Sequence, residues 1–416
     1  MGDPGLVAVT APDDSHGGVR VLYTNVGQSS NRGKAGGGSD IVVAVSDNGG
    51  QTFTNAQYVD IPGQLGSQTN TLLPGTDFPQ IAADPHSPYG VWVSWTVGAT
   101  GYINWIRYDT NLAYTRGTPM QIPDPLTAVH MAAITVGTVQ SCSGAHEAVY
   151  VAWVTDGMRN NQACQDGGQS YASPVWEWAA YDTVTGTWYP NDGTGAYPLD
   201  QDNQFPQCIG SPIVGGSLEP SADSSGPSIA SLDVNVILAH PHHTTYGTKI
   251  YEQGAILYCD PNGHMVPSYG PISMSPVPCY VVGGACPATD AGAGNGPDGG
   301  IVRNDDWGAK VVYTLKPPST TEMLITYYST RLDPNNNKVG IWGGTAVGVF
   351  DNPFASIFTV ANAATPTQTV PWDVTLAPWW DYQGIGVEPQ GSFFAAWGGD
   401  ARYGASGAGI FGARLQ

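Results

Sequence analysis

Short runs of branched and aromatic residues alternate with turn residues along this chain, and the pattern repeats. In the stretch 381–397, small and branched residues lead to Pro389-Gln390-Gly391, and an aromatic run follows that ends at Trp397. Proline presets one backbone angle and glycine supplies another, so a turn of this kind between two β-prone runs predicts a β-hairpin.

Six hairpins of this type are predicted, and each is followed by enough chain for two further strands. They span residues 6–23, 79–95, 131–153, 227–240, 309–328 and 381–397. Repetition of such a unit is typical of sheets arranged radially. The pattern therefore predicts an all-β fold, a single β-propeller over residues 1–416 with about six blades of four antiparallel strands. Insertions are expected near 194–222 and 280–300.

The composition agrees with many strands joined by turns. The chain has 55 Gly and 33 Pro, and only 12% of its residues are charged. No long amphipathic helical period is found, and 13 Trp and 21 Tyr supply apolar surface that a disordered chain lacks.

Charge and cysteine content narrow the partners and the compartment. A net charge of -20 disfavours binding to nucleic acid or to an anionic membrane, and no run of roughly 20 apolar residues predicts membrane insertion. The 6 cysteines show no Cys-x-x-Cys spacing, so we expect disulfides and a secreted, extracellular protein whose leader is absent from this sequence. Cys279 and Cys286 would close an easy short loop, although the connectivity is not deducible.

Residues 46–53, Ser-Asp-Asn-Gly-Gly-Gln-Thr-Phe, resemble the Asp-box (BNR repeat) of the sialidase-like β-propeller superfamily. Ser46, Gly50, Thr52 and Phe53 match its Ser-x-Asp-x-Gly-x-Thr-aromatic pattern, whereas Asn48 replaces the aspartate. The resemblance implies a turn between the third and fourth strands of a blade, on the face away from the active site, with the aromatic residue packed between strands.

On the opposite face, residues before each first strand would ring the central axis. These ring residues are Asp3, Asp77, His130, Asp223, Asp306 and Asp381, and the ends of the second strands add Asn25, Asp156, His240, Arg331 and Asp400. Crowded carboxylates repel one another, so the pKa of some should rise and make them acids near neutral pH. Arginines nearby present forks that suit a substrate carboxylate or sulfate.

This arrangement gives two sets of candidate residues. The catalytic candidates are Asp381, Tyr382, Asp77, His130 and His240, and the substrate-binding candidates are Arg402, Arg331, Arg159, Tyr403 and Trp380. The resemblance implies a tyrosine nucleophile with an aspartate acid/base, or, as in propeller lyases, a histidine that removes a proton beside a uronate carboxylate. The Arg-Ile-Pro sequence that opens sialidases is missing, which argues against sialic acid as the substrate.

We therefore expect a carbohydrate-active enzyme that cleaves a glycosidic linkage of an anionic glycan, as a sialidase-like glycoside hydrolase or a polysaccharide lyase. The alternatives are a non-catalytic sugar- or protein-binding propeller, for which Trp379-Trp380 would be a stacking platform, and a structural extracellular protein with no small ligand.

No cofactor is expected, and no metal ligand is assigned. The cluster His240-Pro241-His242-His243 is interpreted as a loop with clustered imidazoles in preference to a transition-metal site. The segment 290–298 has Asp, Gly and Asn but lacks the ligand spacing of a calcium loop, so a structural calcium ion is the one ion kept as a candidate.

Overall fold

The structure is a computed structural model that describes a large part of the chain. The described residues are 7–11, 20–28, 39–46, 52–59, 79–84, 87, 90–97, 100–109, 111–123, 129–155, 164–166, 169–171, 175–192, 194–199, 226–244, 247–276, 306–316, 320–329, 338–348, 350–360, 372–373, 383–387, 393–399 and 409–415. Within these ranges the secondary structure is β-strand, apart from one turn of 3-10 helix at Pro353–Ser356. No helix in the described part is long and apolar enough to cross a membrane.

The strands are β1 (Val7–Ala11), β2 (Arg20–Gln28), β3 (Ser39–Ser46), β4 (Thr54–Tyr58), β5 (Gln80–Ala83), β6 (Gly90–Val97), β7 (Thr100–Tyr108), β8 (Tyr114–Arg116), β9 (Met120–Gln121), β10 (His130–Ser141), β11 (Gly144–Thr155), β12 (Cys164–Asp166), β13 (Gln169–Tyr171), β14 (Val175–Asp182), β15 (Thr187–Tyr189), β16 (Tyr197–Pro198), β17 (Ser228–Leu232), β18 (Asn235–Thr244), β19 (Gly247–Cys259), β20 (Met265–Met274), β21 (Asp306–Lys316), β22 (Thr320–Ser329), β23 (Lys338–Ala346), β24 (Ile357–Thr359), β25 (Trp372–Asp373), β26 (Gln383–Val387), β27 (Phe393–Gly399) and β28 (Gly409–Leu415).

The chain divides into two compact units. Unit 1 comprises residues 1–157, 175–198 and 257–267, and unit 2 comprises residues 158–174, 199–256 and 268–416.

In unit 1 the chain runs up and down through successive antiparallel strands. The first sheet has the order β1-β2-β3-β4, and the second has the order β5-β6-β7-β8 with β9 against β7. In the third, β10, β11, β14 and β15 follow one another, and β16 pairs with β14. Antiparallel neighbours need only short turns, which the many glycines and prolines supply.

Unit 2 repeats this antiparallel pattern. Strands β17 to β19 are neighbours in sequence order with β20 against β19, β21 to β24 form a further sheet with β25 against β23, and β26 to β28 form a third. A small hairpin is made by β12 and β13.

The six hairpins predicted from the sequence pattern are confirmed. They are the antiparallel pairs β1–β2, β5–β6, β10–β11, β17–β18, β21–β22 and β26–β27. The hydrophobic runs and turn residues specify these pairs because both signals are local in sequence.

The core of unit 1 explains why some strands are apolar without alternation. In β6, Val91, Val93 and Trp95 join one hydrophobic cluster, whereas Trp92 joins another. Successive side chains of a strand point to opposite faces, so β6 is buried on both of its faces. In unit 2, the cluster formed by Ile237, Ile250 and neighbouring residues of β21 and β22 fills the space between two sheets.

Aspartates begin several turns between the third and fourth strands of a sheet. Asp109, Asp182 and Asp260 each accept two backbone amide hydrogen bonds at Oδ1, with distances between 2.8 and 3.0 Å. These bonds satisfy turn amides that have no strand partner. The segment with the Asp-box sequence occupies the corresponding connection between β3 and β4, although its residues 47–51 lie outside the described part.

Phe53 differs from the expectation that the Asp-box aromatic residue packs between strands. Its side chain is 39% exposed. Phe53 directly precedes β4, an edge strand that has a neighbour on one side only, and so less of its surface is covered.

A disulfide joins a turn and a strand end of unit 1. Cys142 lies in the turn between β10 and β11, and its partner Cys259 is the last residue of β19, with the two Cα atoms 5.0 Å apart. Next to the disulfide, Gln140 and Tyr258 form a parallel bridge. The suggested Cys279–Cys286 loop lies outside the described residues.

The residues His240 to His243 form the end of β18, so their interpretation as a loop is wrong. They pair in regular antiparallel register with β19, from His240–Tyr251 to His243–Thr248. Pro241 is tolerated because the pairing of β17 with β18 ends at Ala239, and the missing proline amide therefore leaves no sheet bond unmade.

Candidate functional site

Most of the predicted site residues lie outside the described part of the chain. They are Asp77, Arg159, Arg331, Trp380, Asp381, Tyr382, Arg402 and Tyr403. Two of the predicted catalytic residues are in described strands: His130 opens β10, and His240 lies in β18. A described ring residue is Asp306, the first residue of β21.

His240 is a buried and neutral imidazole. Its side chain is 3% exposed, its Nδ1 lies 3.2 Å from the Pro241 carbonyl oxygen, and its ring centroid lies 6.1 Å from that of Tyr251. Burial lowers the pKa of His240 to about 4, and the contact with the Pro241 carbonyl opposes this shift only partly. Nδ1 carries the proton in that contact, which makes Nε2 the basic atom of the ring.

An ion pair is buried close to this histidine along β19. Lys249 Nζ lies 3.4 Å from Asp306 Oδ2, and the two side chains are 0% and 1% exposed. The Ser275 hydroxyl donates to the same Asp306 oxygen at 2.6 Å. Burying two charges is favourable only when each is paired and hydrogen-bonded, and this arrangement meets that condition.

Ser275 also fixes the position of Lys249 through the backbone. The Ile250 amide donates to the Ser275 hydroxyl at 3.0 Å, and the Ser275 amide donates to the Ile250 carbonyl at 2.8 Å. The lysine stem is thus held by its neighbour in sequence, and its ammonium group meets Asp306 with little loss of freedom.

Strand order brings these groups together at one end of unit 2. His240 faces Tyr251 across the β18–β19 pair, and Lys249 is two residues from Tyr251 on the same face of β19. Asp306 is the first residue of β21, a strand that packs against β17 and β18. The structure therefore brings His240 and Asp306, both selected from the sequence, into one region.

Sequence reasoning missed Lys249 and Ser275. Lysine is scarce here, since Lys and Arg together number 14 in 416 residues, and a lysine inside an apolar strand signals a specific partner. That signal was available for Lys249, whereas the long-range contact of Ser275 with Asp306 leaves no local pattern.

The arrangement offers an acid–base group beside a fixed pair of charges. His240 stays neutral above about pH 4, and the Lys249–Asp306 ion pair is buried in the same region of unit 2. Among the described residues, no group of three or more His, Cys, Asp or Glu side chains is placed to hold a metal ion.

Comparison with known proteins gives matches among solved structures. No protein-family model matches the sequence. No curated protein matches it either.

The subtype N11 neuraminidase-like protein of a flat-faced bat isolate from Peru matches with 8% identity and a TM-score of 0.38, over 100% of this chain and 88% of that chain. An ulvan lyase from a new polysaccharide lyase family matches with 12% identity and a TM-score of 0.40, over 100% and 78% of the two chains. A Hadza microbial sialidase matches with 12% identity and a TM-score of 0.34, over 88% and 66%. Sialidase and neuraminidase-like proteins, the group that the Asp-box sequence resembles, are thus among the structures to which this chain is similar.

Proposed function

We propose that this chain is an exported, six-bladed propeller enzyme that cleaves a glycosidic linkage of an anionic glycan. The observation that carries the proposal is the gathering of His240, Lys249 and Asp306 in a chain with few charges. Buried ionisable groups with specific partners are enriched at functional sites.

The two ends of β19 differ in a way that supports this placement of the site. The Gly247 end carries Lys249 beside Asp306, whereas the Cys259 end leads into the turn capped by Asp260. Asp260 accepts hydrogen bonds from turn amides, which is a structural role. Asp306 is paired with a buried lysine in the same region as a neutral histidine, and these groups are available for chemistry.

The other proposed residues are assigned by their positions in the sequence. Asp381, Asp77 and His130 would transfer protons, and Tyr382 would attack the sugar or donate to the leaving oxygen. Arginines would clamp the acidic group of the glycan, and aromatic residues would stack on sugar rings; these residues are Arg402, Arg331, Arg159, Tyr403 and Trp380.

Between hydrolysis and elimination, His240 favours elimination. A uronate is cleaved by elimination when a base removes the proton next to its carboxylate. His240 is unprotonated at neutral pH, as this role requires, and its pKa of about 4 makes it a weaker base than an exposed histidine. Substrate binding would have to bring the sugar to Nε2, since the ring is 3% exposed.

The test is a screen of acidic and neutral glycans with two readouts, new reducing ends and the ultraviolet absorbance of an unsaturated uronate. Elimination produces both signals and hydrolysis produces only the first. On the substrate found, His240→Gln should lower kcat by about 100- to 10,000-fold if His240 transfers the proton, with unchanged KM as the control for binding. Binding of a glycan without either product would support the alternative, a non-catalytic binding propeller.

Export is supported by the Cys142–Cys259 disulfide, because disulfides persist in oxidising compartments. Thiol titration of the denatured, unreduced protein should find none of the 6 cysteines free. Two or more free thiols would argue against an oxidising compartment.

A further inference from the structure

Glu252 is a carboxyl group inside the hydrophobic cluster of unit 2. It lies in β19 two residues after Ile250 and opposite Ala239, and both of these neighbours belong to the cluster between the β17–β20 and β21–β25 sheets. Because residues two apart and residues directly opposite share a face, Glu252 points into that cluster. Its side chain is 2% exposed.

Glu252 has few polar contacts. Ser273 in β20 hydrogen-bonds to the carboxyl, while Oε1 has no hydrogen-bond partner among the described residues. From β21 the cluster includes Tyr313, which is 8% exposed and whose hydroxyl also has no partner in the described part. A buried carboxylate in this setting would lack the bonds that an ionised group needs.

The charged and titratable groups on the packed strands do not compensate Glu252. Lys249 lies three residues away in β19 and pairs with Asp306, and His240 follows Ala239 on the other face of β18. β22 contributes Met323 and Ile325 to the cluster, and its Glu322 alternates with them. In β21, Ala309, Val311 and Tyr313 belong to the cluster, so Lys310 lies on the opposite face of the strand. Tyr313 is therefore the titratable group that faces Glu252 from β21.

We propose that Glu252 and Tyr313 form a buried proton switch between two sheets of unit 2, in which the protonated carboxyl lets the sheets pack and loss of its proton loosens them. This device is separate from the proposed glycan chemistry and does not depend on it.

The pKa values agree with this geometry. Burial raises the pKa of Glu252 from 4.5 to about 8, and the bond from Ser273 offsets only part of the shift. Burial also raises the pKa of Tyr313, and the nearby charge of Glu252 raises it further. Glu252 is thus neutral when the chain is folded at pH 7 and ionised when the chain is unfolded.

The sign of the pH dependence follows from this difference. Between pH 4.5 and about 8 the folded chain holds a proton that the unfolded chain has lost, so the contribution to stability is complete below pH 4.5 and disappears as the pH rises to about 8. Each pH unit in this window weakens the folding equilibrium constant by up to about tenfold.

The experiment compares the full-length wild type with Glu252→Gln across pH 5 to 9 by urea unfolding. Glutamine is neutral at every pH. The ratio of the wild-type to the Glu252→Gln folding equilibrium constant should therefore fall by up to about tenfold for each unit that the pH rises, and level off above about pH 8. Glu322→Gln, in the next sheet, is the matched control for removal of one glutamate charge. Parallel wild-type and Glu252→Gln curves would overturn the proposal.

A second measurement uses the wild type alone, in case Glu252→Gln does not fold. Infrared spectra at pH 7 should contain the C=O stretch of a protonated carboxyl, which should vanish as the pH passes through about 8. Hydrogen exchange, corrected for its intrinsic pH dependence, should then rise in the peptides that cover 247–276 and 306–316. A spectrum at pH 7 without a protonated carboxyl, or exchange that stays unchanged through pH 9, would overturn the switch.

Discussion

At the scale of single residues, the informative charges in this chain are the buried ones. Only 12% of residues are charged, yet Lys249 and Asp306 lie together with no more than 1% of either side chain exposed. A buried pair is costly to form from hydrated ions and far more costly to break by removing one member. The pair therefore links β19 to the start of β21.

The first prediction concerns this pair. Lys249→Met or Asp306→Leu alone should lower the free energy of unfolding by about 3–5 kcal/mol, because each removes the oppositely charged partner of a buried charge. The double variant should recover much of that loss, since both charges are gone. Urea unfolding at pH 7 measures all three, and single variants within about 1 kcal/mol of the wild type would mean that the pair is effectively exposed in solution.

The second prediction concerns His240 and acid stability. Its pKa is lowered by burial from 6.5 to about 4, so between these values the unfolded chain binds a proton that the folded chain does not. Stability from this group is complete above pH 6.5 and is lost as the pH falls toward 4.

His240→Phe keeps a ring and removes the titration. The ratio of the wild-type to the Phe-variant folding equilibrium constant should therefore fall by up to about tenfold per pH unit below pH 6.5. Thermal unfolding between pH 4 and 7 measures this ratio. The carboxylates of the chain titrate in both proteins, so their effect on stability cancels in the ratio. An imidazole signal from His240 that titrates near its ordinary pKa of 6.5 would contradict the assignment.

How far the sequence predicts the site depends on the range of the interactions. His240 and Asp306 were selected because both lie next to strand ends, which the turn residues mark locally. The sequence does not predict the roles of Ser275 and Glu252, because each depends on a residue distant in the chain. Ser275 contacts Asp306, 31 positions away, and Glu252 acts on Tyr313, 61 positions away. A periodicity of two in a strand places a residue on a face, but it does not tell which sheet covers that face.

At the scale of elements, the turns capped by aspartate hold the ends of third strands. Asp182 is the most enclosed of them: His146 Nδ1 lies 2.8 Å from Oδ2, and Tyr189 donates to the same oxygen at 3.3 Å. Burial alone would raise the pKa of Asp182, but the bonds from His146 and from the Thr185 and Val184 amides bring it below its ordinary value. The carboxylate thus ties the turn to the neighbouring hairpin of β10 and β11.

The third prediction compares two of these turns. Asp182→Ala should cost roughly 1–3 kcal/mol for each buried group that loses its partner, whereas Asp109→Ala, in an exposed turn, should have a smaller effect because water replaces the lost bonds. Chemical unfolding of both variants measures the difference. Equal losses at the two positions would show that enclosure does not determine the value of the cap.

At this scale the sequence was a good guide to strands and a poor one to their ends. The six hairpins follow from local runs and turns, but the clustered imidazoles of His240-Pro241-His242-His243, with Pro241 among them, predict a loop. The structure extends β18 through these residues. Pairing with β19 on one side is enough to keep His240 to His243 in the strand. The local sequence pattern does not predict this pairing, because the partner strand follows a turn whose length is not known from the sequence.

At the scale of the whole molecule, the net charge of -20 acts on any acidic substrate before contact is made. The Debye length is about 8 Å at physiological ionic strength and about 30 Å at 0.01 M, so an approaching glycan feels the overall charge mainly at low salt. An arginine clamp acts only at short range. An anionic glycan that binds as proposed would therefore first cross a repulsive field.

The last prediction follows from these two ranges. The association rate constant of an acidic glycan should rise as salt increases from 0.01 to 0.15 M, because screening weakens long-range repulsion. A neutral glycan of the same length should associate at a rate that does not change with salt, which makes it the matched control. Stopped-flow measurements of tryptophan fluorescence report both, since the chain has 13 Trp. If salt instead slows association of the acidic glycan, then attraction by positive charge on the binding face outweighs the long-range repulsion. The arginines proposed for substrate binding would then have to be concentrated on that face strongly enough to reverse the field of the rest of the chain.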